Sequence, residues 1–207
     1  MWLSEAAVNE TVIDHLLEAN ISYIILSPYQ CESIEDEVGN SVKVDPFTVP
    51  YYEPFLVEGK SGKSISVFFY HPNLASDISF GHILQDADRM YEKLHTLKES
   101  ELPPLIQTAT DGEIYGHHEP FGDMALAALV KKIEQRDDFE LTNYATYLET
   151  HKATRKATLL PGEDHKGTSW SCIHGVSRWY KDCGCNTGSQ EGWNQQWRTP
   201  LREAFTI

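Results

Sequence analysis

Apolar positions along the chain change period several times, and each change predicts an element. Val8, Val12, Ile13, Leu16 and Leu17 recur at helical spacing between Ala6 and Glu18, and Asn20 is placed to end that helix. ISYIILS, residues 21–27, is a short β-rich run stopped by Pro28, which predicts a strand. Residues 31–62 carry acids, then DPFTVPYYEPF and GKSGK, and their three prolines argue for loops. SISVFFY, residues 64–70, predicts a second strand. Phe80, Ile83, Leu84, Ala87, Met90, Tyr91, Leu94 and Leu97 mark an amphipathic helix. LPPLIQTAT carries a third strand after its prolines, and 121–133 is a further helix with Leu126, Leu129, Val130 and Ile133 on one stripe. The opening MWLSE reads either as the tail of a buried strand or as a terminus that packs Trp2 and Leu3 on a neighbour.

Strands alternating with helices predict α/β architecture, part of a parallel barrel or sheet with helices outside. Residues 1–137 follow that pattern, whereas 138–207 are polar, rich in Trp, Cys and His, and read as a helical or irregular C-terminal region. In such folds the chemistry sits where strands end and loops begin. Glu5 and Asp111 both have that address.

Composition then removes function classes. A formal charge of −14, from 31 acids against 17 Lys and Arg, argues against nucleic acid or an anionic membrane as partner. No run approaches the roughly 18 apolar residues of a membrane span, and MWLSEAAVNE has neither the basic start nor the apolar run of a secretory signal. Cys31 stands alone while Cys172, Cys183 and Cys185 crowd together, which fits a reducing, cytoplasmic compartment better than a disulfide framework.

The densest chemistry lies in TATDGEIYGHHEPFGD, residues 108–123. An acid directly after a strand, such as Asp111, can simply cap the next helix. Here Glu113, His117 and His118 add more donors and acceptors than one cap needs, and glycines let backbone approach a ligand. ATDGEIYGHHEPFGDMAL resembles the fourth conserved motif of glycoside hydrolase family 57, in which an Asp precedes a Glu, a Gly and a His. MWLSEAAV resembles that family's Trp-Leu-Pro-Glu nucleophile motif, with Ser4 in place of the proline. TSWSCIHGVSRWYKDCGC and GWNQQWRTPLREA are similar to a branch of the family that ends in a domain of unknown function.

The resemblance implies a retaining enzyme on α-glucans, built on an incomplete (β/α)7 barrel followed by a helical region. It makes Glu5 the nucleophile and Asp111 the general acid/base, with no cofactor required. The two carboxyl groups would then stand about 5–5.5 Å apart, and Asp111 would have to be buried or face a negative charge to hold its proton. Glu113, His117 and His118 are left to bind sugar hydroxyls and orient Asp111; separately, the small-residue loop around Trp170 makes it the first choice to stack on a sugar ring. The family's earlier motifs, including a His-Gln-Pro segment, do not occur here. The expectation is therefore a C-terminal part of such an enzyme, with its missing strands in an upstream segment or a second chain and with little turnover alone.

CIHGVSRWYKDCGC sets Cys172, His174, Cys183 and Cys185 close together. Three thiols and an imidazole make a complete tetrahedral zinc set, while buried free cysteines packed beside Trp170 and Trp179 remain the plainer reading. For most of Trp170, Trp179, Trp193 and Trp197 core packing is expected. Two rival functions stand beside the glycosidase. One is a metal-dependent carbohydrate hydrolase of deacetylase type, with Asp111, His117 and His118 on zinc, although adjacent histidines point apart on a regular element. The other is a non-catalytic glucan-binding remnant.

Overall fold

A computed structural model of the chain describes residues 1–101, 103–185 and 191–206. Its strands are β1 Tyr23–Leu26, β2 Cys31–Glu35, β3 Ser41–Lys43, β4 Pro54–Glu58, β5 Ser64–Phe69 and β6 Ala157–Leu159. Its helices are α1 Glu10–Glu18, α2 Pro72–Ser79, α3 Ala87–Glu101, α4 Gly122–Glu134, α5 Tyr144–Thr150 and α6 Arg198–Ala204.

α1 starts later than its apolar period because Asn9 caps it, accepting the Val12 N–H at 2.9 Å. Its face, centred on Ile13, packs into a core with Ile24 and Leu26 of β1 and Ile65, Val67 and Phe69 of β5. β1 and β5 pair in parallel, from Tyr23 opposite Ser66 to Leu26 opposite Phe69. β4 then pairs antiparallel with β5 across the turn at 59–63. A second antiparallel sheet has the order β3-β2-β6. The two sheets are stitched where the Leu56 N–H of β4 donates to Arg155 O, just before β6, at 2.8 Å.

Several expectations change. The parallel barrel shrinks, among the described residues, to one parallel pair within two small sheets. Residues 31–62 hold β2, β3 and β4 despite their prolines. Pro54 is tolerated because it opens β4, where a missing N–H costs least. Residues 1–3 form no strand, and a short 3-10 turn at Ser4–Ala6 follows them. The helix marked by residues 80–97 is divided: α2 ends at Ser79, His82 turns left-handed at φ 54°, and α3 begins at Ala87. Phe80 is consequently 80% exposed rather than core. α2, α3 and α4 share a second core around Leu74, Met90 and Leu129.

Residues 105–110 also fail to pair as a strand. The buried side chain of Gln107 takes the place of a ladder there: its Nε2 donates to Phe69 O at 2.6 Å and Tyr51 O at 2.7 Å. Its Oε1 accepts from the Tyr144 hydroxyl at 2.8 Å, and its carbonyl accepts the His71 N–H at 3.1 Å. The segment thus lies beside the end of β5 and delivers Asp111 there. No helix among the described residues is long and apolar enough to cross a membrane.

Candidate active site

The parallel strands β1 and β5 end side by side, and the residues just past them open onto one cavity of about 560 Å³. Tyr29 reaches it after β1, Tyr70 after β5, and Asp111 after the Gln107 segment. Glu5, Trp170 and Ser171 line the same space. Carboxylates far apart in sequence therefore share one cavity at strand C-terminal ends, where α/β folds place their chemistry.

Glu5 arrives there through strained backbone. Glu5 and Ala6 have φ of 59° and 45°, a left-handed region that costs a side-chain-bearing residue about 1–3 kcal/mol. Such strain persists only where the surroundings over-determine it, and they do. The Ala6 carbonyl accepts from Gln30 Nε2 at 2.8 Å, and the Glu5 carbonyl accepts the Trp170 N–H at 3.0 Å. Val8 and Thr168 exchange both backbone hydrogen bonds, at 3.1 and 3.0 Å. Gly167 permits that approach, since a Cβ on it would lie 2.4 Å from Val8 O. The Glu5 carboxylate itself accepts from Ser171 Oγ at 2.6 Å.

Asp111 precedes a 3-10 turn at Gly112–Ile114 but does not cap it with its side chain, which leaves the carboxyl for the cavity. It is exposed, while Glu5 is half-buried. Burial pushes the Tyr70 phenol above its ordinary value, a hydrogen bond with Ser27 opposes this, and the charge of Asp111 adds to it. Trp170 is held edge-on against Trp2, with ring centres 4.7 Å apart, and against Tyr70 at 6.3 Å.

Glu113, His117 and His118 lie outside the cavity lining. They belong to a tight turn in which both histidine N–H groups donate to Glu113 O, at 3.2 and 3.0 Å, and His118 pairs with the Glu113 carboxylate at 3.6 Å. The lining also holds Tyr29, Phe47 and Ser171, which the sequence did not single out, and Phe80, which it assigned to a helix core. Tyr29, Phe47 and Phe80 are 54%, 63% and 80% exposed. A readable signal existed for Tyr29 alone, an aromatic directly after a strand-stopping Ser-Pro.

The second cluster forms as well. Each ligand atom of Cys172, His174, Cys183 and Cys185 lies within 4.8 Å of the others. Among the described residues this is the one group of His, Cys, Asp and Glu able to hold a metal, so Asp111, His117 and His118 form no such site. Trp179, Trp193 and Trp197, expected mostly in the core, are 38%, 74% and 55% exposed. Trp179 ends the 3-10 turn Gly175–Trp179, and Trp193 and Trp197 lie just before the short helix α6.

Three solved structures share the fold. A 4-α-glucanotransferase from Thermococcus litoralis matches with a TM-score of 0.58 and 21% identity, over 86% of this chain and 25% of its own. An exo-type maltose-forming amylase from Pyrococcus sp. ST04 matches with a TM-score of 0.67 and 14% identity, over 99% and 36%. A branching enzyme from Thermococcus kodakaraensis, solved with glucose, matches with a TM-score of 0.56 and 14% identity, over 81% and 38%. The chain thus spans between a quarter and two-fifths of these enzymes. No curated protein sequence matches it significantly. The family model for glycosyl hydrolase family 57 matches residues 1–159, which carry both cavity carboxylates, and the chain belongs to that family.

Proposed function

We propose that the protein acts on α-glucans as a retaining glycosidase or glucan transferase, with Glu5 as nucleophile and Asp111 as general acid/base. The observation that carries this reading is the shared cavity, with Glu5 on a strained, hydrogen-bonded turn and Asp111 at the end of the Gln107 segment. A Glu5 oxygen attacks the anomeric carbon, the glycosidic C–O bond breaks, and the Asp111 proton passes to the leaving oxygen. Water or a sugar hydroxyl then attacks the glycosyl-Glu5 ester, gives its proton to Asp111 and frees the Glu5 carboxylate. Neither step needs a cofactor.

Trp170, Tyr29 and Phe47 offer aromatic faces and edges to the C–H faces of glucose units around the carboxylates. Glu113, His117 and His118 stand farther out, where they would meet hydroxyls of a longer glucan. Because Asp111 is exposed, the bound glucan and further barrel strands, from a longer chain or a partner, must desolvate it. We place the reaction in the cytoplasm, in keeping with four free cysteines.

The test uses maltooligosaccharides with this chain and with the chain lengthened by its upstream in-frame codons. Expected are transfer or hydrolysis products from the longer protein, first released as the α-anomer, and loss of both with Glu5→Gln or Asp111→Asn. Turnover indifferent to both substitutions refutes the assignment. Glucan binding without any turnover would make the protein a binding remnant instead.

A further inference from the structure

We infer that Cys172, His174, Cys183 and Cys185 bind one zinc ion, and that this ion sets the strap carrying Trp170 and Ser171 against the Glu5 turn. The first half rests on geometry. A tetrahedral zinc with metal–sulfur bonds of about 2.3 Å has sulfur–sulfur edges of about 3.8 Å and slightly shorter sulfur–nitrogen edges. Cys172 Sγ stands 3.9 Å from Cys183 Sγ and 3.7 Å from Cys185 Sγ. His174 Nδ1 stands 3.8 Å from Cys172 Sγ and 3.3 Å from Cys185 Sγ. The remaining pairs are within 4.8 Å, so closing the tetrahedron asks for about an ångström of adjustment. A disulfide would need two sulfurs at about 2.05 Å, and all four cysteines are free. Three thiols and one imidazole also make a donor set that selects zinc over the oxygen-seeking cations.

The second half follows from sequence adjacency and hydrogen bonds. Cys172 directly follows Trp170 and Ser171, whose N–H and Oγ hold the Glu5 carbonyl and carboxylate at 3.0 and 2.6 Å. The strap folds tightly: the Gly175 N–H donates to Cys172 O at 2.9 Å, and Arg178 donates to Ser171 O at 3.2 Å. Gly175 has φ +62°, and a Cβ there would sit 2.3 Å from Gly167 O, on the residue that meets Val8. Anchoring Cys172 to distant Cys183 and Cys185 removes freedom that the Ser171–Glu5 contact would otherwise have to overcome. Binding releases three thiol protons, so zinc affinity falls on acidification. The zinc is structural, with four protein ligands and no open position.

The link to Glu5 matters for catalysis only if the proposed function holds, so the tests avoid turnover. In the 207-residue protein, metal analysis should return about one zinc per chain, and less than about a tenth after reconstitution overturns the site. Cobalt in place of zinc should give the intense visible bands and sulfur charge-transfer absorption of a tetrahedral thiolate centre; octahedral, sulfur-free spectra overturn it. Cys172→Ser and Cys183→Ser should lose the metal while Cys31→Ala keeps it. If the serine variants do not fold, chelation and zinc return on the unaltered protein supply the same comparison. Thiol titration that finds a disulfide, insensitive to chelator, also overturns it. Hydrogen exchange of the Trp170 amide should slow about tenfold or more on zinc loading. Zinc bound with unchanged exchange overturns the link to Glu5. A zinc-loaded, exchange-protected protein with no glycosyl transfer would instead fault the catalytic assignment alone.

Discussion

Replacing Gln30 by methionine should loosen the Glu5 turn more than any substitution at the turn's own surface. The side chain is 1% exposed and its amide makes three hydrogen bonds. Oε1 accepts the Ser27 N–H at 3.0 Å, and Nε2 donates to Ala6 O at 2.8 Å and to Thr168 Oγ1 at 3.0 Å. Methionine keeps the length and fills the space but leaves those partners without the amide. Each buried group so orphaned costs about 1–3 kcal/mol, and the Thr168 hydroxyl can rotate to another partner. Relaxation of the strained Glu5 and Ala6 backbone returns about 1–3 kcal/mol. The net expectation is a loss of about 1–3 kcal/mol, which lowers Tm by about 3–12 °C for a chain of this size. Urea and thermal unfolding followed by circular dichroism would measure it, with hydrogen exchange at the Trp170 amide reporting the turn itself. A loss below about 1 kcal/mol with unchanged exchange would show that Gln30 does not hold the turn.

Gly167→Ala should be the more damaging small change. Its φ of +111° and a Cβ 2.4 Å from Val8 O exceed what side-chain motion can relieve, so soluble yield should fall sharply; wild-type stability in urea would contradict the contact. Glu119 is held below the usual carboxylate range by its hydrogen bonds from His82, at 2.6 Å, and Gln85, at 3.1 Å. A depressed carboxylate contributes stability in full above its unfolded value, about 4.3, and loses it as pH falls through the folded value. Glu119→Gln should therefore be less stable near neutral pH yet flatter in its acid limb, read as the urea midpoint against pH; an unchanged acid limb would exclude the pairing. Asp111→Asn in the active protein should slow natural glucans by about 10²–10⁴-fold. The same variant should turn over substrates with good leaving groups far better, and equal losses on both kinds would assign the acid role elsewhere.

Helix α4 was legible to within one residue because its Leu129–Ile133 stripe is a local feature. The split between α2 and α3 was hidden because the apolar spacing of Ile83 and Leu84 continues through a left-handed His82. The 105–110 segment looks like a strand because it leans apolar and β-branched, but one glutamine, Gln107, takes over its pairing. β2 and β3 pair locally, Glu35 opposite Ser41, whereas β6 depends on a partner distant in sequence, as with Cys31 opposite Leu159, and no short window carries that pairing. Resemblance pointed to Glu5 and Asp111, and a small-residue loop to Trp170; all three line the cavity. Neither reached Tyr29, Phe47 or Phe80, whose exposure follows from where loops meet in space.

The Val8–Thr168 bridge joins the start of the chain to a segment near its other end. The equilibrium cost of closing so long a loop is modest, because each doubling of length adds only about 0.6 kcal/mol. Its kinetic cost is larger, since contacts between remote segments form late and slow folding. During synthesis both helical and sheet cores can settle before Gly167 to Ser171 leave the ribosome, since chains grow at about 5–20 residues per second. Glu5 gains its backbone partner Trp170 only once the long segment between the two has been synthesised. The geometry of the Glu5 turn is therefore set late in folding, after the sheets that flank it.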